Sequence, residues 1–300
     1  MSSKVRVSLL RGICQIPAYV ACEMGYFKDE GIDATVDIAA TAWMVPQKLM
    51  SGETQFAVIP WTRVAAAEAH DIPLLLLAGS GCEEVAIVLR TGLEPKDVKK
   101  VAVPVRGGMK DLTAMGLLKS LGWQDAQLVR LPSGDGAILS FVGQGADAAS
   151  MVEPYATMLE QQGLGRVIRR TGDIWKGAPG CSLTTTRPYR DAEPEVVQAF
   201  VNAFARGVQY AEEHPDDAAR MAEIYIGVSA RFIREALNHN KPNINAIRNL
   251  EAMKNVMALM QTLGYVERQP HDFSDLSFLD KFAGSGAARP AAERGAAAAR

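Results

Sequence analysis

Strand-like and helix-like periodicities alternate along this chain from Val5 to Thr186, and that alternation leaves few folds open. Apolar runs rich in valine, isoleucine and leucine are expected as strands at residues 5–10, 34–38, 56–59, 74–78, 85–90, 98–103, 126–131, 148–152, 166–170 and 182–186. Segments with apolar residues at helical spacing lie between them, at 17–30, 44–51, 62–70, 109–121, 136–144 and 155–162. Strands separated by helices demand crossover connections, so the sheets must be mostly parallel with helices on their faces. The run Ile72-Pro-Leu-Leu-Leu-Leu-Ala78 reads as a strand buried on both faces. The pattern restarts near residue 98, which divides the chain into two α/β lobes. Crossings near 79–90 and 181–187 give lobe one as 1–84 plus 187–282, and lobe two as 85–186. Paired crossings make a hinge, and ligands favour the cleft that a hinge closes.

Beyond residue 187 the pattern is helical. Val197, Phe200, Val201, Phe204 and Val208 form one apolar stripe, and Pro194 and Pro215 suit first helical turns. Further helices are expected at 230–239 and 250–263, all packing back on lobe one as a C-terminal extension. The tail 283–300 is Gly/Ala-rich with little to bury and is expected to be disordered.

Charge narrows the partners. With 32 basic and 34 acidic residues the formal net charge is −2, which gives no support to a nucleic-acid partner. No apolar run is long enough to span a bilayer, so no transmembrane segment is expected. The start, Met1-Ser-Ser-Lys-Val-Arg6, shows no apolar signal core. Either an export signal is absent from this sequence or the protein is cytosolic. Cys14, Cys22, Cys82 and Cys181 have no metal-like spacing and read as free thiols. His70, His214, His239 and His271 are scattered, so no metal and no cofactor are expected.

The segment Ile16-Pro-Ala-Tyr-Val-Ala-Cys-Glu-Met-Gly-Tyr-Phe-Lys-Asp-Glu-Gly-Ile-Asp33 follows the first strand across the polar loop Arg11–Gln15. Strand, polar loop and helix N-terminus together make a cradle for an anion. Three other segments join it. They are Leu49-Met-Ser-Gly-Glu-Thr-Gln-Phe-Ala57, Gly145-Ala-Asp-Ala-Ala-Ser-Met-Val-Glu-Pro-Tyr155, and the stretch from Pro194 to His214-Pro-Asp-Asp-Ala-Ala. In this order the four resemble the solute-binding proteins of ABC importers for sulfonates, nitrate, taurine and thiamine pyrimidine precursors, in the type II periplasmic-binding-protein superfamily. The likeness runs over residues 4–266, with Gln55 where the family usually has an acidic residue. It implies a two-lobed fold, a small anionic ligand (sulfonate, carboxylate or pyrimidine-like), ABC permease subunits as partners, a monomer, and a periplasmic location.

Candidate ligand-binding residues follow from where α/β sheets bind, at the C-terminal ends of strands. Arg11, Cys14 and Gln15 lie in the first such loop, Thr41 and Trp43 in the second, Trp61 and Thr62 in the third. Arg11 offers a planar donor set for a carboxylate or sulfonate and equally reads as a surface arginine. Trp43 and Trp61 suit stacking on a flat solute or ordinary core packing. In lobe two, Arg106-Gly107-Gly108 opens a helix after a strand, where glycines let backbone N–H groups approach an anion. Ser133 belongs to a second glycine-rich turn. Glu153, before Pro154, would need a donor if buried.

Cys14 admits a second reading. The sequence is similar, in that cysteine alone, to a desulfinase of the same fold. Arg11 would lower its thiol pKa, but the loop expected to carry a histidine holds Pro60-Trp61 instead. The reading favoured here is a non-enzymatic binding protein; the alternative is a cytosolic enzyme using Cys14, desulfinase- or decarboxylase-like, or a ligand sensor.

Overall fold

Ten strands in two sheets carry the architecture of the computed structural model, which describes residues 2–131 and 134–284. In chain order they are β1 (Ser3–Leu9), β2 (Ile32–Ile38), β3 (Phe56–Pro60), β4 (Leu74–Gly79), β5 (Val85–Arg90), β6 (Lys100–Pro104), β7 (Gln127–Leu131), β8 (Ala148–Val152), β9 (Gly165–Arg170) and β10 (Cys181–Thr186). Each lies within two residues of its expected bounds.

The first sheet runs β2-β1-β3-β10-β4 and the second β7-β6-β8-β5-β9. The two orders are equivalent. In each, the fourth strand is the one that has crossed from the other lobe, and it pairs antiparallel with both neighbours. β10 lies between β3 and β4, and β5 between β8 and β9. The remaining pairings, β1 with β2 and β3, and β6 with β7 and β8, are parallel. β4 is fully buried, Leu74 to Ala78 having no exposed surface. Burial on that scale contributes about 1.5–3 kcal/mol per leucine.

Residues 181–186, grouped with lobe two by the sequence pattern, therefore pair within the first sheet. The second crossing comes before Cys181, not after it. The two crossings run side by side as a ribbon. Ser80 N–H donates to the Cys181 carbonyl (3.2 Å), Gly180 N–H to Gly81 (3.0 Å) and Glu83 N–H to Ala178 (2.9 Å). Cys82 and Pro179 form a β-bridge between them.

The helix expected over 17–30 is two helices, Ile16–Glu23 and Tyr26–Asp29. Gly25 separates them at φ 71°, a conformation that glycine adopts without a Cβ penalty and that ends the first helix. The helix Pro194–Glu213 buries Val197, Phe200, Val201, Phe204 and Val208 against Ile16 and Tyr19 of the first lobe. It crosses closely at Gly207, where a Cβ would stand 2.1 Å from the Pro17 carbonyl oxygen.

Leu250–Thr262 does not stay on lobe one. Its Met253, Val256 and Met260 share a core with Ile59 and Trp61 of the first lobe and with Met109 and Leu112 of the second. A short helix, Ser277–Gly284, also packs Phe278 and Leu279 into the first-lobe core. It takes in Ala283 and Gly284 of the expected tail; the rest, 285–300, lies outside the described residues, as does Ser133.

Candidate functional site

A cavity of about 250 Å³ lies between the sheets. Its first-lobe wall comes from the loops after β1, β2 and β3, and its second-lobe wall from the loop after β6, the end of β8 and Tyr155. Glu84 and Cys181 reach it from the two crossings. These are the C-terminal ends of the parallel strands, where α/β topology leaves a crevice.

The walls meet directly. Ile13 N–H donates to the Glu153 carbonyl at 3.1 Å, and Thr62 Oγ1 donates to the Gly107 carbonyl at 3.0 Å. Arg63 Nη2 reaches the Arg106 carbonyl at 3.4 Å. These bonds join first-lobe to second-lobe backbone around the cavity, so the cleft is closed.

Of the candidate residues, Arg11, Cys14, Gln15, Thr41 and Gly108 line the cavity. The others do not. Trp61 has no exposed surface; its Nε1–H donates to the Pro179 carbonyl (2.9 Å) and its ring stacks near Phe273, as a core residue. Trp43 is 49% exposed and lies off the cavity. Thr62 is buried and spent on the Gly107 carbonyl. Arg106 turns outward over the Tyr265 ring, 5.5 Å from its centroid. Gly107 takes φ 83° beside that same ring and serves the turn into the helix Met109–Leu117. Its N–H donates to Asp111 Oδ2 at 3.0 Å.

Glu153 is buried, and its donor is internal. Arg170 Nη1 lies 2.6 Å from Oε1, and Thr157 N–H donates to Oε2 at 2.9 Å. The carboxylate thus ties β9 to the start of the helix Tyr155–Gln161. It faces no part of the cavity lining.

Sequence reasoning missed Arg63, Lys110 and Glu84. Arg63 stands in the first turn of the helix Trp61–Ala69, and its guanidinium turns into the cavity. Its Nε is buried with no hydrogen-bond partner. Burial pulls its pKa down while the Asp111 carboxylate pushes it back up, yet a guanidinium stays charged. Lys110 lines the cavity from the first turn of Met109–Leu117. Two helix N-termini, those of Ile16–Glu23 and Met109–Leu117, therefore border the same space as Arg11, Arg63 and Lys110.

At the hinge side the lining changes character. Cys14, Cys181 and Glu84 are all buried, with sulfur and oxygen atoms within 4.8 Å of one another. Gln15 Nε2 donates to Cys14 Sγ (3.1 Å) and Cys181 Sγ (3.6 Å), and the Cys181 thiol reaches Glu84 Oε1 at 3.6 Å. Glu84 Oε2 is buried with no partner. Burial pushes the Glu84 carboxyl up, against the two thiols that donate to it. Burial also pushes the Cys14 thiol up, and Glu84 adds to the rise. That is the reverse of the lowering expected from Arg11, and a raised thiol is a poor nucleophile.

With two equivalent α/β halves around a hinged, closed cleft, the molecule has the form of a binding protein. The NMT1-like family profile matches residues 2–227, and the chain belongs to that family. Among curated proteins it is 24% identical over 264 residues to the nitrate/nitrite binding protein NrtA of Synechococcus elongatus, covering 76% of this chain but only 58% of that protein's length. Solved structures share the fold. One is the ligand-binding component of an ABC-type import system from Staphylococcus aureus with zinc bound (TM-score 0.82, 14% identity, 93% of this chain and 99% of that one). Another is the periplasmic nitrate-binding protein NrtA from Synechocystis (TM-score 0.81, 14% identity, 95% and 89%). A third is the alkanesulfonate-binding protein SsuA from Xanthomonas axonopodis pv. citri bound to MOPS (TM-score 0.77, 14% identity, 92% and 99%).

Proposed function

We propose that this chain is the solute-binding protein of an ABC importer and holds a small anionic solute in the closed cleft without transforming it. One observation carries the reading: Arg63, whose Nε is buried without a hydrogen-bond partner, lines a cavity that two helix N-termini also border. A buried donor without an acceptor costs about 1–3 kcal/mol, more when charged, and an anionic guest supplies the acceptor. Arg11 and Lys110 add positive charge around the same space. The facing walls limit contact with bulk water, which strengthens each charge-assisted bond. A cavity of about 250 Å³ suits a compact anion or a small substituted ring.

Permease subunits would recognise the closed form, and a periplasmic location follows from the same reading. Relatives named for nitrate, nitrite and alkanesulfonate support an oxyanion as guest. No described helix is long and apolar enough to cross a membrane.

Isothermal titration calorimetry in EDTA, with nitrate, short sulfonates, aromatic carboxylates and pyrimidines, tests this. At least one should bind at micromolar affinity or tighter, with one site and unchanged solute recovered. Silence across the panel, or turnover of any member, overturns the reading.

A further inference from the structure

We infer that Cys14, Cys181 and Glu84 form a binding site for a thiophilic divalent cation, of which Zn²⁺ is the type, at the hinge end of the cleft. The donor set comes first. Two thiols and one carboxylate oxygen come from buried residues and lie mutually within 4.8 Å. Tetrahedral zinc takes sulfur at about 2.3 Å and carboxylate oxygen at about 2.0–2.2 Å, which sets sulfur–oxygen edges of about 3.5 Å. The Cys181 Sγ–Glu84 Oε1 separation is already 3.6 Å.

A second observation is independent of that spacing. Glu84 is 3% exposed, yet its Oε2 has no hydrogen-bond partner. The carboxylate packs closely on the other crossing, where only a glycine fits: a Cβ on Gly180 would stand 2.4 Å from Glu84 Oε2. A buried carboxylate with one oxygen unpartnered is costly unless a cation meets it. The Lys110 charge pulls the Glu84 carboxyl down through space, against the stronger effect of burial, and Oε2 still has no hydrogen-bond partner.

The surroundings suit thiolates as well. Gln15 Nε2 points its donors at both sulfurs while Gln15 Oε1 is anchored by Leu10 N–H at 3.1 Å. Donors placed behind ligating sulfurs stabilise their anionic form and orient them. Cysteine thiols are mostly protonated at neutral pH, so binding a cation as thiolates releases protons to solvent. Three protein ligands leave the fourth tetrahedral position open, and all three residues line the cavity, so that position faces the solute space.

The site also ties the fold together. Cys14 follows β1, Glu84 ends the outward crossing and Cys181 ends the return crossing. An ion bound to all three would pin the hinge ribbon to the first-lobe wall.

Co²⁺ is the probe for the test, added to the full chain after reduction and stripping with EDTA, then exchanged for Zn²⁺. One equivalent should bring sulfur-to-cobalt charge-transfer absorption and the strong visible bands of tetrahedral Co²⁺, both erased by Zn²⁺. Calorimetry in two buffers of different ionisation enthalpy should show proton release. Cys14→Ser and Cys181→Ser should each weaken binding at least about tenfold and diminish the charge-transfer band. Glu84→Gln should keep that band but lose affinity. Cys22→Ser, away from the cavity, should behave as the parent. Circular dichroism and Tm establish that each variant is folded; a Zn²⁺-induced rise in Tm of the parent, smaller in Glu84→Gln at the same Zn²⁺ concentration, gives a readout that does not depend on the serine variants folding. Absence of charge transfer at stoichiometric Co²⁺, or its survival in the Cys14→Ser, Cys181→Ser double variant, overturns the site. Anion titration in EDTA reads the Arg63 end alone, so failure there and failure here are separate results.

Discussion

Glu153 and Glu84 are both buried glutamates at the junction of the two lobes, and their environments are opposite. Glu153 has every need met from within the chain, by the Arg170 guanidinium and the Thr157 N–H. Glu84 keeps one oxygen unpartnered beside two thiols that line the cleft. The difference separates charge used to build the fold from charge held ready for a guest. Arg63 belongs with Glu84 in this respect, since it too lines the cavity and keeps a buried polar atom without a partner.

The largest effect should come from breaking the satisfied pair. Arg170→Met leaves Glu153 buried without its cation, and removing one partner of a buried ion pair costs about 3–5 kcal/mol. Urea denaturation should show that loss while solute affinity of the folded fraction stays near the parent value. A loss below about 1 kcal/mol would place Glu153 with the open groups.

Arg63→Met should act the other way round, on binding more than on folding. Hydrogen bonds to charged groups contribute about 1.5–3 kcal/mol, so solute affinity should fall roughly tenfold to a hundredfold by calorimetry. Stability should hold or rise, because a desolvated charge has gone.

Glu84→Gln should stabilise the metal-free protein, by about 1–3 kcal/mol once the carboxylate is ionised. The sign follows from its raised carboxyl pKa, caused by burial. A group raised on folding favours the folded state below its unfolded pKa, about 4.3 for glutamate, and loses that contribution as pH rises through the folded value. In EDTA the variant and parent should therefore melt alike at acid pH and diverge above it, the variant melting higher. Equal Tm values at every pH would show that Glu84 is satisfied after all.

Much of this architecture is legible in the residues themselves. Strand runs such as Val85–Arg90 announce themselves because β-branched and leucine side chains buried on both faces leave no polar interruption. The placement of Arg11, Thr41 and Gly108 at the cavity follows from topology, since parallel strands present their C-terminal loops to one crevice. Local pattern fails where the deciding partner is distant. Glu84 and Cys181 are 97 residues apart and meet only because two crossings run as one ribbon. Arg63 reads as a helix-surface residue, and its one signal was its position in the first turn after a strand. Glu153 drew notice as a carboxylate before proline, but no spacing could reveal Arg170 on β9, which lies beyond β5 from the strand that Glu153 follows.

Tryptophan supplies the smallest expected effect and the cleanest control. Trp61 and Trp43 follow equivalent strand ends, yet one is sealed in the core and the other is 49% exposed and outside the cavity lining. If open buried groups, rather than aromatic residues near the cleft, define the site, then Trp43→Ala should shift both stability and solute affinity by less than about 0.5 kcal/mol, as for an ordinary surface change. Calorimetry resolves a change of that size as less than a threefold shift in Kd. A tenfold loss of affinity would mean that Trp43 folds over the occupied cleft. The division between groups that face the guest and groups that build the wall would then have to be redrawn to include an exposed ring in a loop that follows β2.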